Sequence, residues 1–163
     1  QIYQAVNQAW LDSGMDGSLP DYLVSLADDI VLGQYEHVDQ LYRDIVDARL
    51  DGTPLAPLLA RAPLWATRWT EAYNQAMLLI AAEMGQRMAW ELGATERHCG
   101  TCAAVNGIVA FASEWEELGV MPQSAPNDAL QCGGWKCDCK LTPTEQRRSP
   151  DAYGRIINAT TRI

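Results

Sequence analysis

All five cysteines of this 163-residue chain lie between Cys99 and Cys139. The first pair is Cys99-Gly-Thr-Cys102, and the second group is Cys132-x4-Cys137-x-Cys139. Thiols gathered in this way can hold a metal, exchange electrons or form disulfides. A tetrahedral zinc ion takes four ligands from two short turns brought together, and two thiol clusters about thirty residues apart have that form. Gly100, Gly133 and Gly134 leave the backbone free to turn around an ion. A redox dithiol normally opens a helix that follows a strand. The expected surroundings of Cys99 and Cys102, a long helix before and a hairpin after, do not match that. Disulfides suit an odd cysteine count poorly, in a chain large enough to build a core without them. The expectation is one structural zinc per chain. Cys99 and Cys102 supply one pair of ligands, and two of Cys132, Cys137 and Cys139 complete the set. His98 is a substitute ligand in principle, but adjacent His98 and Cys99 rarely aim at one ion. Otherwise His98 and His37 are expected to face solvent.

Other chemistry finds no footing. The chain has no H-E-x-x-H, no deaminase pattern, no G-x-S-x-G and no Walker A sequence. Glu96 beside Arg97 reads as surface charge, and thiols committed to a metal leave no open catalytic position. The protein is therefore expected not to be an enzyme.

The elements that carry the cysteines follow from periodicity. Ile2–Ser13 reads as a short helix closed by the turn-formers "GMDG". "SLPD" opens a second helix, with Ser18 as cap and Pro20 in the first turn. Leu23, Ala27, Ile30, Gln34, Val38, Leu41, Ile45 and Ala48 form its apolar face, and "DGTP" at 51–54 ends it. "LAPLLARAP" reads as a helical turn. A long central helix is expected over 64–92. It carries two apolar stripes, one through Tyr73, Met77, Ile80, Met84, Met88 and Leu92, the other through Trp65, Trp69, Ala72, Ala76 and Leu79. Gly93 would cap it. Beyond it, Asn106-Gly107 between apolar runs signals a hairpin. Ser113 would cap a short helix in "SEWEELG". Gln131–Thr142 reads as a knuckle or bent strand, and "DAYGRIINATT" as a last helix. The fold class is α+β, mainly α: a helical region over 1–93, then a small zinc-bound β-hairpin module with its tail over 94–163.

The stretch from Gly93 to Pro143 resembles the C-terminal signature of the phage head morphogenesis, or MuF-like, minor head proteins. There a mostly helical region ends in a long helix. A C-x-x-C, a glycine turn, a proline-containing loop and a His-x-x-C-R-C-like ending follow. Cys99 and Cys102 match the first pair, Asn106-Gly107 the turn, Pro122 and Pro126 the loop, and Cys137-Asp138-Cys139 the closing C-x-C. The chain departs from the pattern at the histidine, where Cys132 stands nearby at a different spacing. The likeness covers about fifty residues closely and the helical region only in architecture. It implies a structural protein of the virion of a tailed phage or prophage, at the portal vertex of the head and in the host cytoplasm during assembly. Its partners would be portal and other head proteins, in a possible oligomer, and its work head assembly, DNA packaging or delivery.

Charge agrees with protein partners. The net charge is −9, and residues 1–60 hold ten acidic residues against two arginines. Phosphate backbones demand a basic face, so direct DNA binding is expected to be weak or absent. Arg147, Arg148, Arg155 and Arg162 are the thin footprint on which a rival reading, a zinc-ribbon-like nucleic-acid adaptor, would rest. A thiol oxidoreductase is the third reading. No run of about 18 apolar residues offers a membrane span, and no signal-peptide pattern opens the sequence.

Overall fold

The computed structural model describes residues 1–61, 68–94, 97–135 and 137–161. It divides into two compact units, Gln1–Tyr73 and Asn74–Ile163. The division falls inside a helix and not at Gly93, because the strand before Gly93 pairs with the cysteine-bearing segments.

The first unit is helical. Helix α1, Ile2–Asp12, buries Ala5, Val6 and Ala9. It closes where Ser13 Oγ donates to the Ala9 carbonyl at 2.8 Å. Helix α2, Asp21–Leu50, buries Leu23, Ala27, Leu41 and Ala48 of the expected face, and Pro20 occupies the cap position with no side-chain cap. Ser18 therefore lies ahead of the helix and does not cap it. Val38, in the middle of the same face, is 47% exposed. The turn after α2 uses Gly52 at φ +69°, and the Thr53 N–H reaches the Ala48 carbonyl at 2.8 Å. Helix α3 is Ala56–Leu59. Tyr73 stacks on Trp69 with ring centroids 5.3 Å apart and donates to Asp12 at 2.8 Å.

The expected long helix is shorter. Helix α4 runs Arg68–Glu83, and residues 64–67 of the expectation lie outside the described residues. Gly85 takes φ +63° and the Gln86 N–H returns to the Ala81 carbonyl at 2.8 Å, which ends the helix. Strand β1, Arg87–Glu91, then buries Met88, Ala89 and Trp90 in succession. A strand covered on both faces has no polar alternation, and Met84, Met88 and Leu92 happen to keep the helical spacing of four. Gly93 consequently caps nothing.

The expected hairpin at Asn106-Gly107 is also corrected. Helix α5, Gly100–Val105, precedes that dipeptide, and strand β2, Val109–Phe111, follows it. Gly107 at φ +72° turns a helix into a strand, and its N–H donates to the Trp90 carbonyl at 2.9 Å. Helix α6 is Ala112–Glu117, strand β3 Lys140–Pro143 and helix α7 Ala152–Thr160. Ser113 lies inside α6. The Phe111 N–H at the helix entrance is instead accepted by the Glu114 carboxylate at 2.9 Å. The sheet is antiparallel in the order β2-β1-β3. Its register sets Met88 against Ala110 and Pro143, and Ala89 against Val109 and Thr142. The fold is thus α+β and mainly α, with a three-stranded sheet in place of a hairpin.

The core of this unit gathers Met88, Trp90, Val105, Ile108, Trp115, Val120 and Ile156. Trp90 and Trp115 meet with centroids 5.6 Å apart, and Trp115 Nε1 donates to the Met88 carbonyl at 3.3 Å. Trp135 stands at 44% exposure, outside the core that its apolar ring suggests for it.

Candidate metal centre

The first knuckle is built by α5. Cys99 is its N-cap residue, and its sulfur accepts the Cys102 N–H at 3.4 Å. A capping cysteine and a second thiol three residues on then share one helical turn, which places both sulfurs on one side. The second knuckle is a run of turns. The Gly133 N–H reaches the Leu130 carbonyl at 2.7 Å and the Trp135 N–H the Cys132 carbonyl at 3.1 Å. Gly133 and Gly134 sit at φ +62° and +76°, where a side chain would be strained. Gly134 also has no room for one: a Cβ there would lie 2.6 Å from the Ser124 oxygen.

Gln131 laces the knuckles together. Its Oε1 accepts the Gly100 N–H at 2.7 Å, and its own N–H donates to Thr101 Oγ1 at 3.1 Å. Asn127 organises the loop behind them. Its Nδ2 donates to the Gly119 carbonyl at 3.0 Å and to Ser124 Oγ at 2.9 Å, while its backbone N–H bonds the Gly133 carbonyl at 3.0 Å. Neither residue stood out in the sequence, because amide side chains acquire such roles only through tertiary placement. Cys137 and Cys139 arrive on the segment leading into β3. Gly93 lets that segment pass, since a Cβ there would lie 2.1 Å from Asp138 Cγ. Gln123 Nε2 holds the Cys139 carbonyl at 2.9 Å.

All five cysteines converge. The sulfurs of Cys99, Cys102 and Cys132 lie within 4.8 Å of one another, as do those of Cys102, Cys137 and Cys139. Cys102 belongs to both sets. All five are free thiols, with Cys102 and Cys139 buried and the others half-buried. Thiolates about 2.3 Å from a tetrahedral ion stand roughly 3.8 Å apart, so small side-chain rotations would close such a set around one ion. The donor set is soft, which suits zinc and other thiophilic metals. His98 is half-buried and does not simply face solvent: its Nδ1 lies 3.8 Å from Cys139 Sγ, and it forms a further potential donor group with Asp138 and Cys139. His37 is exposed on α2. Glu96 lies outside the described residues.

The thiols polarise one another. Burial raises the Cys99 thiol, but N–H groups of Cys102 and Cys132 outweigh it, so the group falls below the ordinary thiol range. Cys137 is lowered to about 5 by a hydrogen bond from Cys102, against burial and with the help of the Cys139 and Gln123 N–H groups. Cys102 is raised by its bond to Cys137 and by burial. Burial raises Cys132 to about 11 and also raises Cys139. A cation bound among these sulfurs would favour their thiolate forms and release protons.

The C-x-x-C does open a helix, with β1 ahead of it, contrary to the surroundings expected from the sequence. What distinguishes this site is the convergence of three further thiols on the pair. In the tail, Arg148 is engaged by Glu114 through two hydrogen bonds, its Nε donating at 2.8 Å. Among the described residues no helix is long and apolar enough to cross a membrane. Compared with known proteins, the chain matches no family model, no curated protein and no solved structure.

Proposed function

We propose that the cysteine cluster holds one structural zinc ion per chain, and that the protein is a non-catalytic minor head protein of a tailed phage or prophage. The observation that carries the metal reading is the convergence of a C-x-x-C and a distant C-x4-C-x-C around Cys102. Zinc supplies no chemistry here beyond clamping. Cys99 and Cys102 fix the start of α5, Cys132 fixes the turn beside the 119–130 loop, and Cys137 fixes the entry to β3. The ion therefore ties together segments far apart in sequence. The head-protein reading rests on the resemblance of Gly93–Pro143 to the MuF-like signature, together with the acidic first sixty residues. In such a particle the partners would be portal and other head proteins. Of the tail arginines on which a nucleic-acid reading would rest, Arg148 is paired with Glu114, Arg147 and Arg155 are exposed, and Arg162 lies outside the described residues.

Elemental analysis of purified protein tests the first half. One zinc per chain is expected, bound by four of the five thiols, with about one thiol still titratable under native conditions. Zinc-free protein carrying two disulfides would overturn it. Cys102→Ser protein supplied to assembling particles tests the second half. Failure to enter heads is expected. Normal incorporation into fully infectious particles would remove the mechanism.

A further inference from the structure

Helix α2 carries an apolar face that the fold leaves open. Leu32, Tyr35, Val38, Tyr42, Val46 and Leu50 are all exposed, Leu50 to 80%. At 3.6 residues per turn they fall within about a third of the helix circumference, along roughly 27 Å of its length. The residues that α2 buries, Leu23, Ala27, Leu41 and Ala48, occupy a neighbouring arc. The open stripe is therefore a second face of the helix. Every residue from Tyr35 to Gln40 is exposed, so the bare stretch spans more than a full turn. Six such side chains present several hundred Å² of apolar surface, approaching the ~800 Å² per partner that a stable dimer buries.

The order of residues along the stripe is self-complementary. Two copies of α2 laid antiparallel, crossing at residues 40–41, bring Leu32 to the partner's Leu50, Tyr35 to the partner's Val46 and Val38 to the partner's Tyr42. The same register sets Asp39 opposite the partner's Arg43. Within one chain these two residues already pair one helical turn apart, so the crossing keeps each charge next to an opposite one. A two-fold axis repeats every contact, as a closed dimer of identical copies requires. A parallel pair would instead crowd Asp21, Asp28 and Asp29 of the two copies together, and like charges in apposition are costly. Repulsion along the stripe itself is small. Between residues 32 and 50, Glu36, Asp39, Asp44 and Asp47 stand against Arg43 and Arg49, which is −2 of the −8 carried by the first sixty residues.

We propose that this stripe pairs with the same stripe on a second copy of the chain, antiparallel, to form a two-fold dimer through α2. The dimer uses none of the cysteines and depends on neither the metal reading nor the head-protein reading.

Sedimentation equilibrium of the full chain tests it. A monomer–dimer equilibrium is expected, with dimer forming below about 0.1 mM. Tyr42→Asp places a charge in the middle of the seam and should weaken the dimer at least about tenfold, with the helical circular dichroism unchanged because Tyr42 is exposed. Charge reversal keeps the test decisive should Tyr42→Asp lose helix. Asp39→Arg and Arg43→Asp chains should each dimerise at least about tenfold more weakly alone, since each sets like charges across the axis. An equimolar mixture of the two should recover the affinity of the unaltered chain, because every pair across the seam is then opposite. A chain that stays monomeric to about 0.1 mM, a dimer that Tyr42→Asp leaves intact, or a mixture no stronger than its components would overturn the proposal. A monomeric chain whose stripe is covered only when a different protein is added would give this face to that partner, and would overturn it as well.

Discussion

Gly93 and Gly107 look alike in the sequence and differ in what they do. A Cβ at Gly93 would lie 2.1 Å from Asp138 Cγ and 2.3 Å from the Asp138 oxygen, whereas a Cβ at Gly107 meets nothing within 4 Å. Gly93→Ala must therefore push the segment carrying Cys137 and Cys139 away from β1, at a cost of about 1–3 kcal/mol. Gly107→Ala meets only backbone strain at φ +72°, worth about 1–2 kcal/mol. Urea midpoints should fall for both, but chelator competition should show weakened zinc binding only for Gly93→Ala. Equal zinc affinity in the two variants would mean that Gly93 does not shape the site. Glu114 offers a second test at this scale. The Arg148 guanidinium holds its carboxyl below the usual range, with the Phe111 N–H helping against burial. Because the folded value is the depressed one, this stabilisation is present above the unfolded value near pH ~4.3. It is lost as pH falls through the folded value. Glu114→Gln should be less stable than the unaltered chain at neutral pH by about 1 kcal/mol, and the gap should close on acidification. A gap that stays constant between about pH 5 and pH 3 would contradict the pairing.

Among the elements, those whose burial is one-sided were legible and the one buried on both faces was not. The ends of α1, α2 and α7 follow from periodicity and from turn residues, since a helix against one core shows its face in the sequence. Strand β1 is the opposite case. Met88, Ala89 and Trp90 are all buried, because β2 and β3 flank the strand and side chains pack on both of its faces. A run of that kind has no period to read, so it merges with the helix before it. The same misreading displaced the hairpin: with β1 unseen, Val109–Phe111 lacked its partner, and Asn106-Gly107 was assigned the nearest apolar run, which is α5. The cysteines were legible as a group, because thiol spacing survives errors in the elements between. Which thiols meet depends on Gln131, Gly93 and the path of β3, none of which spacing reveals. If β1 is the central strand, Ala89→Pro removes a ladder donor where no edge can absorb the loss, at about 3 kcal/mol or more. The variant should lose the near-ultraviolet signal of Trp90 and Trp115 while the helical signal of α1 and α2 persists. Unchanged tryptophan signals would return Arg87–Glu91 to the helix.

At the scale of the molecule, the two units draw their stability from different sources. The first buries Ala5, Val6, Ala9, Leu23, Ala27, Leu41 and Ala48 along helices that need no ion. The second has its own core around Trp90, Trp115 and Ile156, but the chain from Gly119 to Cys139 contains no helix or strand among its described residues. What orders that stretch is the Asn127 and Gln131 bonds, the core contacts of Val120 and Leu130, and the thiol cluster. A structural zinc contributes on the order of 10–16 kcal/mol of apparent binding free energy at neutral pH, far more than the ~1 kcal/mol of a single hydrogen bond. Chelation should therefore act unevenly. Amide exchange should accelerate first in α5 and the 119–139 segment, then in β1 and β3, as the entry to β3 loses its anchor. Exchange in α1 and α2 should change little, because none of their buried residues belongs to the cysteine unit. Cys102→Ser should reproduce the chelated pattern without chelator, since Cys102 is the sulfur common to both thiol groups. Protection that falls equally in α2 and α5 on chelation would show that the units melt as one. Protection that does not fall in α5 would show that the core alone holds the cysteine unit, and that the thiols meet without a metal to bind.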